Sequence, residues 1–156
     1  MKKNKDKKYY IFTLDMNFLN IFSFILFFFV IILTLIIDKK FLIDSINYTF
    51  STEKLLITFI LVFLYLILHE LLHSIGYYLY GEKYKNIVYG IQLEKGIFYC
   101  LCKQNIKKKN ILNSLMFPFF YIGIITYTIS FIINNKYLLI LSIFNISGCI
   151  GDILTF

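Results

Sequence analysis

Four apolar runs, each about as long as a bilayer is thick, govern what this chain can become. Residues 18–37 (FLNIFSFILFFFVIILTLII) carry no charge, and residues 55–80 are interrupted only by His69, Glu70 and His73. Residues 111–133 contain Pro118 and no charge, and residues 137–156 contain one, Asp152. A helix needs about 20 apolar residues to cross about 30 Å of hydrocarbon, and each run meets that length. Composition agrees: 59% of the 156 residues are hydrophobic and 20% aromatic, more than a soluble globule of this size buries. The reading is an all-α membrane protein with about four transmembrane helices. Residues 1–156 are read as a single membrane-embedded domain, because no repeat or linker divides them.

Charge sits in the connections. All sixteen basic residues are lysines, against nine acids, giving a net charge of +7. Nucleic-acid binding would gather them as a stripe on a soluble face. Here they occupy short segments between apolar runs, where topology determinants and anionic-lipid contacts belong. Residues 1–8 hold five Lys and one Asp, 38–54 three Lys and three acids, 81–110 seven Lys and two Glu, and 134–136 one Lys. The positive-inside rule then places both termini and the 81–110 segment in the cytoplasm of a cell membrane. Residues 1–8 look like the start of a signal peptide. The run after them is too long and lacks a small-x-small cleavage site, so an uncleaved anchor is expected. The bias toward Lys, Ile, Asn, Phe and Tyr, without Arg or Trp, points to an AT-rich and bacterial genome.

Within 81–110 the pattern changes. Ile87, Tyr89, Ile91 and Leu93 alternate with smaller or polar positions, Glu94-Lys95-Gly96 supplies a turn, and an apolar stretch runs on to Cys102. This predicts a β-hairpin over about 87–102, on the cytoplasmic side and held against the membrane or the helices. Three cysteines cannot close a disulfide framework. Cys100 and Cys102, two apart on a strand, face the same way, and a reduced packing role is expected for them.

His69-Glu70-Leu71-Leu72-His73 is an HExxH sequence on a helix. Four residues make about one turn, so both imidazoles project from one face and reach one ion, with Glu70 beside them as the base that takes a proton from water. These are the only two histidines in the chain, and no other ionisable side chain interrupts that run. Charged groups in hydrocarbon cost about 2.5–3.5 kcal/mol each on insertion scales, so they need a partner or a purpose. A polar helix–helix contact is the plain alternative. A catalytic zinc site has three protein ligands, and Asp152 is the natural third. His69 lies fourteen residues into the second run and Asp152 fifteen into the fourth, both counted from the outer surface. At 1.5 Å per residue the two come level, about 21–23 Å deep. Asn145, two turns before Asp152, is expected to donate to the metal-bound carboxylate or to substrate. Glu94, twenty-one residues after His73, is a rival third ligand, as in soluble thermolysin-like peptidases. Glu82 is too near the end of the same helix to fold back. Gly76 is expected to permit close packing, Tyr77 and Tyr80 to join the interfacial aromatic belt, and Pro118 to kink the third span.

HELLHSIG in a membrane helix, a hairpin with cysteines, a Pro-containing span and a final NISGCIGD helix resemble the DUF3267 zincin peptidases. Those in turn look like relatives of the site-2 protease group of intramembrane metalloproteases. The resemblance covers nearly everything after the first run. It implies His69, His73 and Asp152 as zinc ligands, Glu70 as catalytic base and a membrane protein or peptide as substrate. It also implies that the hairpin offers an edge strand to that substrate. The last motif departs from the site-2 pattern, with no Pro between Asn145 and Asp152 and with Ile153 after the Asp. The expectation is a zinc-dependent intramembrane or membrane-proximal peptidase. The alternative is a non-catalytic membrane protein that binds a metal or a partner through a peptidase-like site. Membrane oxygenases need many more than two histidines.

Overall fold

The structure is a computed structural model, and it describes residues 16–92, 97–103 and 107–154. The lysine-rich residues 1–8, the turn residues Glu94, Lys95 and Gly96, and with them the rival ligand, lie outside the described residues. Helix α1 spans Met16–Thr49 and α2 Leu55–Leu79. A hairpin of β1 (Ile87–Gln92) and β2 (Ile97–Cys102) leads to α3 (Lys108–Leu115), a π-helical segment (Phe119–Ile125), α4 (Thr126–Ile132), α5 (Lys136–Gly148) and α6 (Ile150–Leu154). Among the described residues four helical stretches are long and apolar enough to cross a membrane: Phe18–Thr49, Leu55–Leu79, Lys108–Ile132 and Lys136–Leu154. With the hairpin between the second and third, this is the expected all-α multi-pass membrane architecture.

The first span does not stop where its apolar run stops. Asp38 has non-helical φ and ψ, and its Oδ1 accepts the Phe41 N–H at 2.9 Å, so it caps a second helical piece that continues to Thr49. Buried Phe41, Leu42, Ser45 and Thr49 recur at helical spacing on that piece, which explains why a segment balanced in charge folds back onto the bundle. The connection to α2 thus shrinks to residues 50–54, tied by Thr58 Oγ1 donating to the Thr49 carbonyl at 2.6 Å.

The surface is oily and the interior partly polar, the reverse of a soluble protein. Ile36, Leu56, Phe59 and Ile132 are exposed, whereas Thr34, Ser45, Ser114, Ser130 and Ser142 are fully buried. Lipid tails give helices no hydrophobic reason to associate, so close approach of small residues does the work. The buried hydroxyls turn back onto their own helices, as Thr34 does to the Val30 carbonyl and Ser45 to that of Phe41, both at 2.7 Å. The main apolar core joins Val30, Phe41 and Leu42 of α1 to Leu139, Ile143 and Ile146 of α5.

The hairpin lies against α2. Tyr77, Ile87 and Cys100 form a second buried cluster, and Phe98 meets Phe63 edge-on with ring centroids 6.0 Å apart. Tyr77 is therefore a packing residue beneath the hairpin and not part of an interfacial belt. Its position at a helix end is shared by both kinds of aromatic.

Replacing Leu139, 0% exposed, by Ala should weaken the bundle by roughly 1–3 kcal/mol, since the cavity left behind persists even without a water-transfer contribution. Ile36→Ala, at a position 77% exposed, should change unfolding in detergent by less than about 0.5 kcal/mol. Equal effects in a reversible denaturation series would contradict this assignment of core and lipid face.

Candidate metal centre

His69 and His73 project from one face of α2, as four-residue spacing dictates, and meet Asp152 at the start of α6. The two Nε2 atoms are 3.1 Å apart. Asp152 places Oδ2 3.0 Å from His69 Nε2 and Oδ1 3.4 Å from His73 Nε2. The fourth span delivers Asp152 in two pieces, because α5 ends at Gly148 and a break at Cys149 precedes α6. The two residues that depth arithmetic sets level in the second and fourth spans do face each other.

Each imidazole is fixed from behind. His73 Nδ1 donates to the Ser114 carbonyl at 3.1 Å. In a regular helix that carbonyl would accept the N–H four residues on, but position 118 is proline and has none. Gly76, one turn after His73, lets α3 come close enough for the bond: a Cβ there would lie 2.8 Å from Ser114 Cα. His69 Nδ1 donates to Asn145 Oδ1 at 2.9 Å. The orientation of that amide is set in turn, since its Nδ2 donates to the Pro118 carbonyl at 3.1 Å and toward Cys149 Sγ at 3.7 Å. Gly123, in the π-helical stretch after Pro118, lets α5 pack closely, as a Cβ there would lie 3.0 Å from Ile146 Cγ1 and in ordinary contact with Asn145 Nδ2. Asn145 thus supports an imidazole, whereas the sequence pointed it at the carboxylate or at substrate.

With both Nδ1 atoms protonated and engaged, both Nε2 lone pairs point into one space with a carboxylate. Such a set repels itself unless a cation or a proton lies between its members. The three separations, 3.0, 3.1 and 3.4 Å, bracket the edge of about 3.3 Å expected for a tetrahedron with bonds of about 2.0 Å. Two imidazoles and a carboxylate are also a donor set that zinc accepts, so residues and ion fit.

Glu70 stands beside this set. Its Oε2 is buried with no hydrogen-bond partner, and the backbone N–H of Cys100 on β2 faces its carboxylate. That amide is available because of ladder parity. Lys103 N donates to Asn86 O at 2.9 Å, so alternate pairs bond from there and the Tyr89–Cys100 pair does not, turning the Cys100 N–H and C=O outward. Burial, then the neighbouring Glu70 and Cys102, pushes the Cys100 thiol up to about 12, which leaves it protonated and inert at neutral pH. Cys102 points instead to Glu82 Oε2, 3.7 Å away just past the end of α2, so Glu82 is occupied at the hairpin.

One residue at the site escaped the sequence reading. Cys149 is fully buried, and its Sγ lies with ligand atoms of His69 and Asp152, all within 4.8 Å of one another. Its spacing, four residues after Asn145 and three before Asp152, was the available signal. His69, Glu70, His73, Asn145 and Asp152 line a mostly apolar cavity of about 610 Å³ walled by α1, α2, β2, α3, α5 and α6, to which Asn20, Ser23, Tyr65 and Tyr99 add further polar groups.

Asn145→Ala and Gly76→Ala each remove the support behind one imidazole, directly or by forcing α3 away. Each should weaken zinc binding about 10–100-fold, measured by competition with a chromogenic chelator. Unchanged affinity in both would contradict the role given to these hydrogen bonds.

No curated protein and no solved structure matches the chain. A family model does match, over residues 62–156, which takes in α2 from Val62 onward, the hairpin and all the later helices. The chain belongs to the DUF3267 family, described as "Putative zincin peptidase".

Proposed function

We propose that this protein is a zinc-dependent endopeptidase that hydrolyses peptide bonds of membrane protein substrates within or beside the bilayer. His69, His73 and Asp152 hold the metal and Glu70 is the catalytic base. The observation that carries the reading is the convergence of two oriented Nε2 lone pairs and one carboxylate in a single cavity, next to the partnerless Oε2 of Glu70.

Zinc, when bound there, supplies a Lewis acid that polarises a carbonyl and brings the pKa of water toward neutrality. Ser114 and Asn145 keep the imidazoles directed at it. Glu70 takes a proton from the attacking water as the water oxygen bonds to the scissile carbonyl carbon. It then delivers that proton to the leaving nitrogen as the C–N bond breaks.

A substrate helix must unwind before its carbonyls are open to attack, and unwinding bares backbone groups in hydrocarbon. The outer edge of β2 offers what those groups need. By ladder parity the N–H and C=O of Phe98, Cys100 and Cys102 point away from β1; the Cys100 N–H faces Glu70, and addition of a substrate strand would pair the others. Entry is from the side: α1 and α2 are joined at Thr49 and Thr58, while α1 packs mainly on α5 and α2 on α3 and β2. The resemblance to site-2 proteases supports the same arrangement. In this reading the lysine-rich 81–110 segment and both termini face the cytoplasm of a bacterial cell.

Purified full chain should cleave members of an apolar quenched-fluorescence peptide library in detergent. Glu70→Gln should keep its zinc and lose cleavage by about 10²–10⁴-fold. Asp152→Ala should lose both. If zinc-loaded wild type cuts nothing, or Glu70→Gln cuts as well as wild type, the chain is a metal-binding membrane protein without this catalysis.

A further inference from the structure

Helix α1 lies outside the segment that matches the family, yet it forms one wall of the cavity that holds Glu70 and the ligand set. Its first apolar run contains three polar side chains, Asn20, Ser23 and Thr34. Two of them hydrogen-bond within the protein. Ser23 Oγ donates to the Ser147 carbonyl at 2.7 Å, and Thr34 Oγ1 bonds the Val30 carbonyl at 2.7 Å and the Tyr127 hydroxyl at 2.8 Å. Asn20 is different. Its side chain lines the cavity, is exposed, and makes no hydrogen bond to any described residue.

The Ser23–Ser147 bond fixes the level of Asn20. Three residues earlier on α1 is a rise of about 4.5 Å. On the antiparallel α5 the same rise leads from Ser147 to residue 150, the start of the helix that carries Asp152. A primary amide therefore stands level with the metal centre, in the same cavity that β2 lines through Phe98, Tyr99, Cys100 and Leu101. A primary amide on a mostly apolar cavity wall is available to a partner, and it carries the donor and acceptor of a peptide group. A peptide paired along β2 has a second edge, with N–H and C=O turned away from β2 and into the cavity that Asn20 also lines.

We propose that Asn20 hydrogen-bonds the backbone of the extended peptide in the cavity, on the side opposite β2. It thereby makes α1 part of the substrate site. The proposal rests on the peptidase reading and deepens it: substrate is gripped on both backbone edges, by β2 and by an amide that mimics a third strand.

The test uses zinc-loaded full chain in detergent and two probes. Acetohydroxamate supplies a metal-chelating group alone, and an N-acetylated apolar tripeptide hydroxamate adds a backbone. Dissociation constants are measured by calorimetry for wild type, Asn20→Leu and the neighbouring Ile21→Leu. Asn20→Leu is expected to weaken the tripeptide hydroxamate about 5–10-fold, the size of one hydrogen bond, with acetohydroxamate affinity and zinc content unchanged. Ile21→Leu is expected to change neither. Equal losses for both probes, or none for the tripeptide, would overturn the role of Asn20 while leaving the peptidase reading intact. Zinc-loaded wild type that binds neither probe would overturn the peptidase reading itself, and this proposal with it.

Discussion

Two imidazoles and a carboxylate meet within 3.4 Å of one another inside a bundle whose outer surface is Ile, Leu and Phe. In hydrocarbon these groups have no water to turn to, so each must be satisfied by the protein, by one another or by an ion. Much of the chain's irregular structure can be read as a response to that constraint. The buried serine and threonine hydroxyls elsewhere in the interior are quieted by bonds to their own helices. The site residues are held by bonds between helices, which ties the second, third and fourth spans to one geometry.

The third span does most of the orienting, through groups that belong to its backbone. Pro118 removes the N–H that would have taken the Ser114 carbonyl, and that carbonyl accepts from His73. The carbonyl of Pro118 itself holds the Asn145 amide, and Asn145 holds His69. One residue that cannot donate a backbone N–H thus stands behind both histidines, by freeing the Ser114 carbonyl for His73 and by holding Asn145 for His69. The π-helical turns that follow, with Gly123 facing Asn145, belong to the same local departure from α geometry, a departure often found at functional sites.

How much of this was legible in the sequence follows from what carries a letter. Apolar runs long enough to span a bilayer make every polar residue inside them conspicuous, so His69, Glu70, His73 and Asp152 could be picked out and set level by counting. The hairpin showed as alternation, and its strands end at residues 87 and 102 as read. Backbone acceptors carry no such mark. Nothing in the letters at 114 and 118 says which imidazole their carbonyls receive, and Asn145 was accordingly assigned a different partner. Cys149 passed as one more apolar residue because a thiol is ambiguous between packing and ligation. The continuation of α1 past Asp38 was hidden by its balanced charge, although Phe41, Leu42, Ser45 and Thr49 hold the helical spacing that reveals it. The placement of Glu94 lies beyond the described residues, so the case for Asp152 rests on where Asp152 itself stands.

The most direct test of this account is zinc K-edge X-ray absorption on the purified full chain, with metal content measured on the same sample. The account predicts about one zinc per chain, nitrogen and oxygen scatterers at about 2.0–2.1 Å, and no sulfur. A sulfur scatterer at about 2.3 Å would mean that Cys149 has entered the ligand set and the three-donor site is wrong. Absence of bound zinc after zinc is supplied would contradict the metal centre altogether.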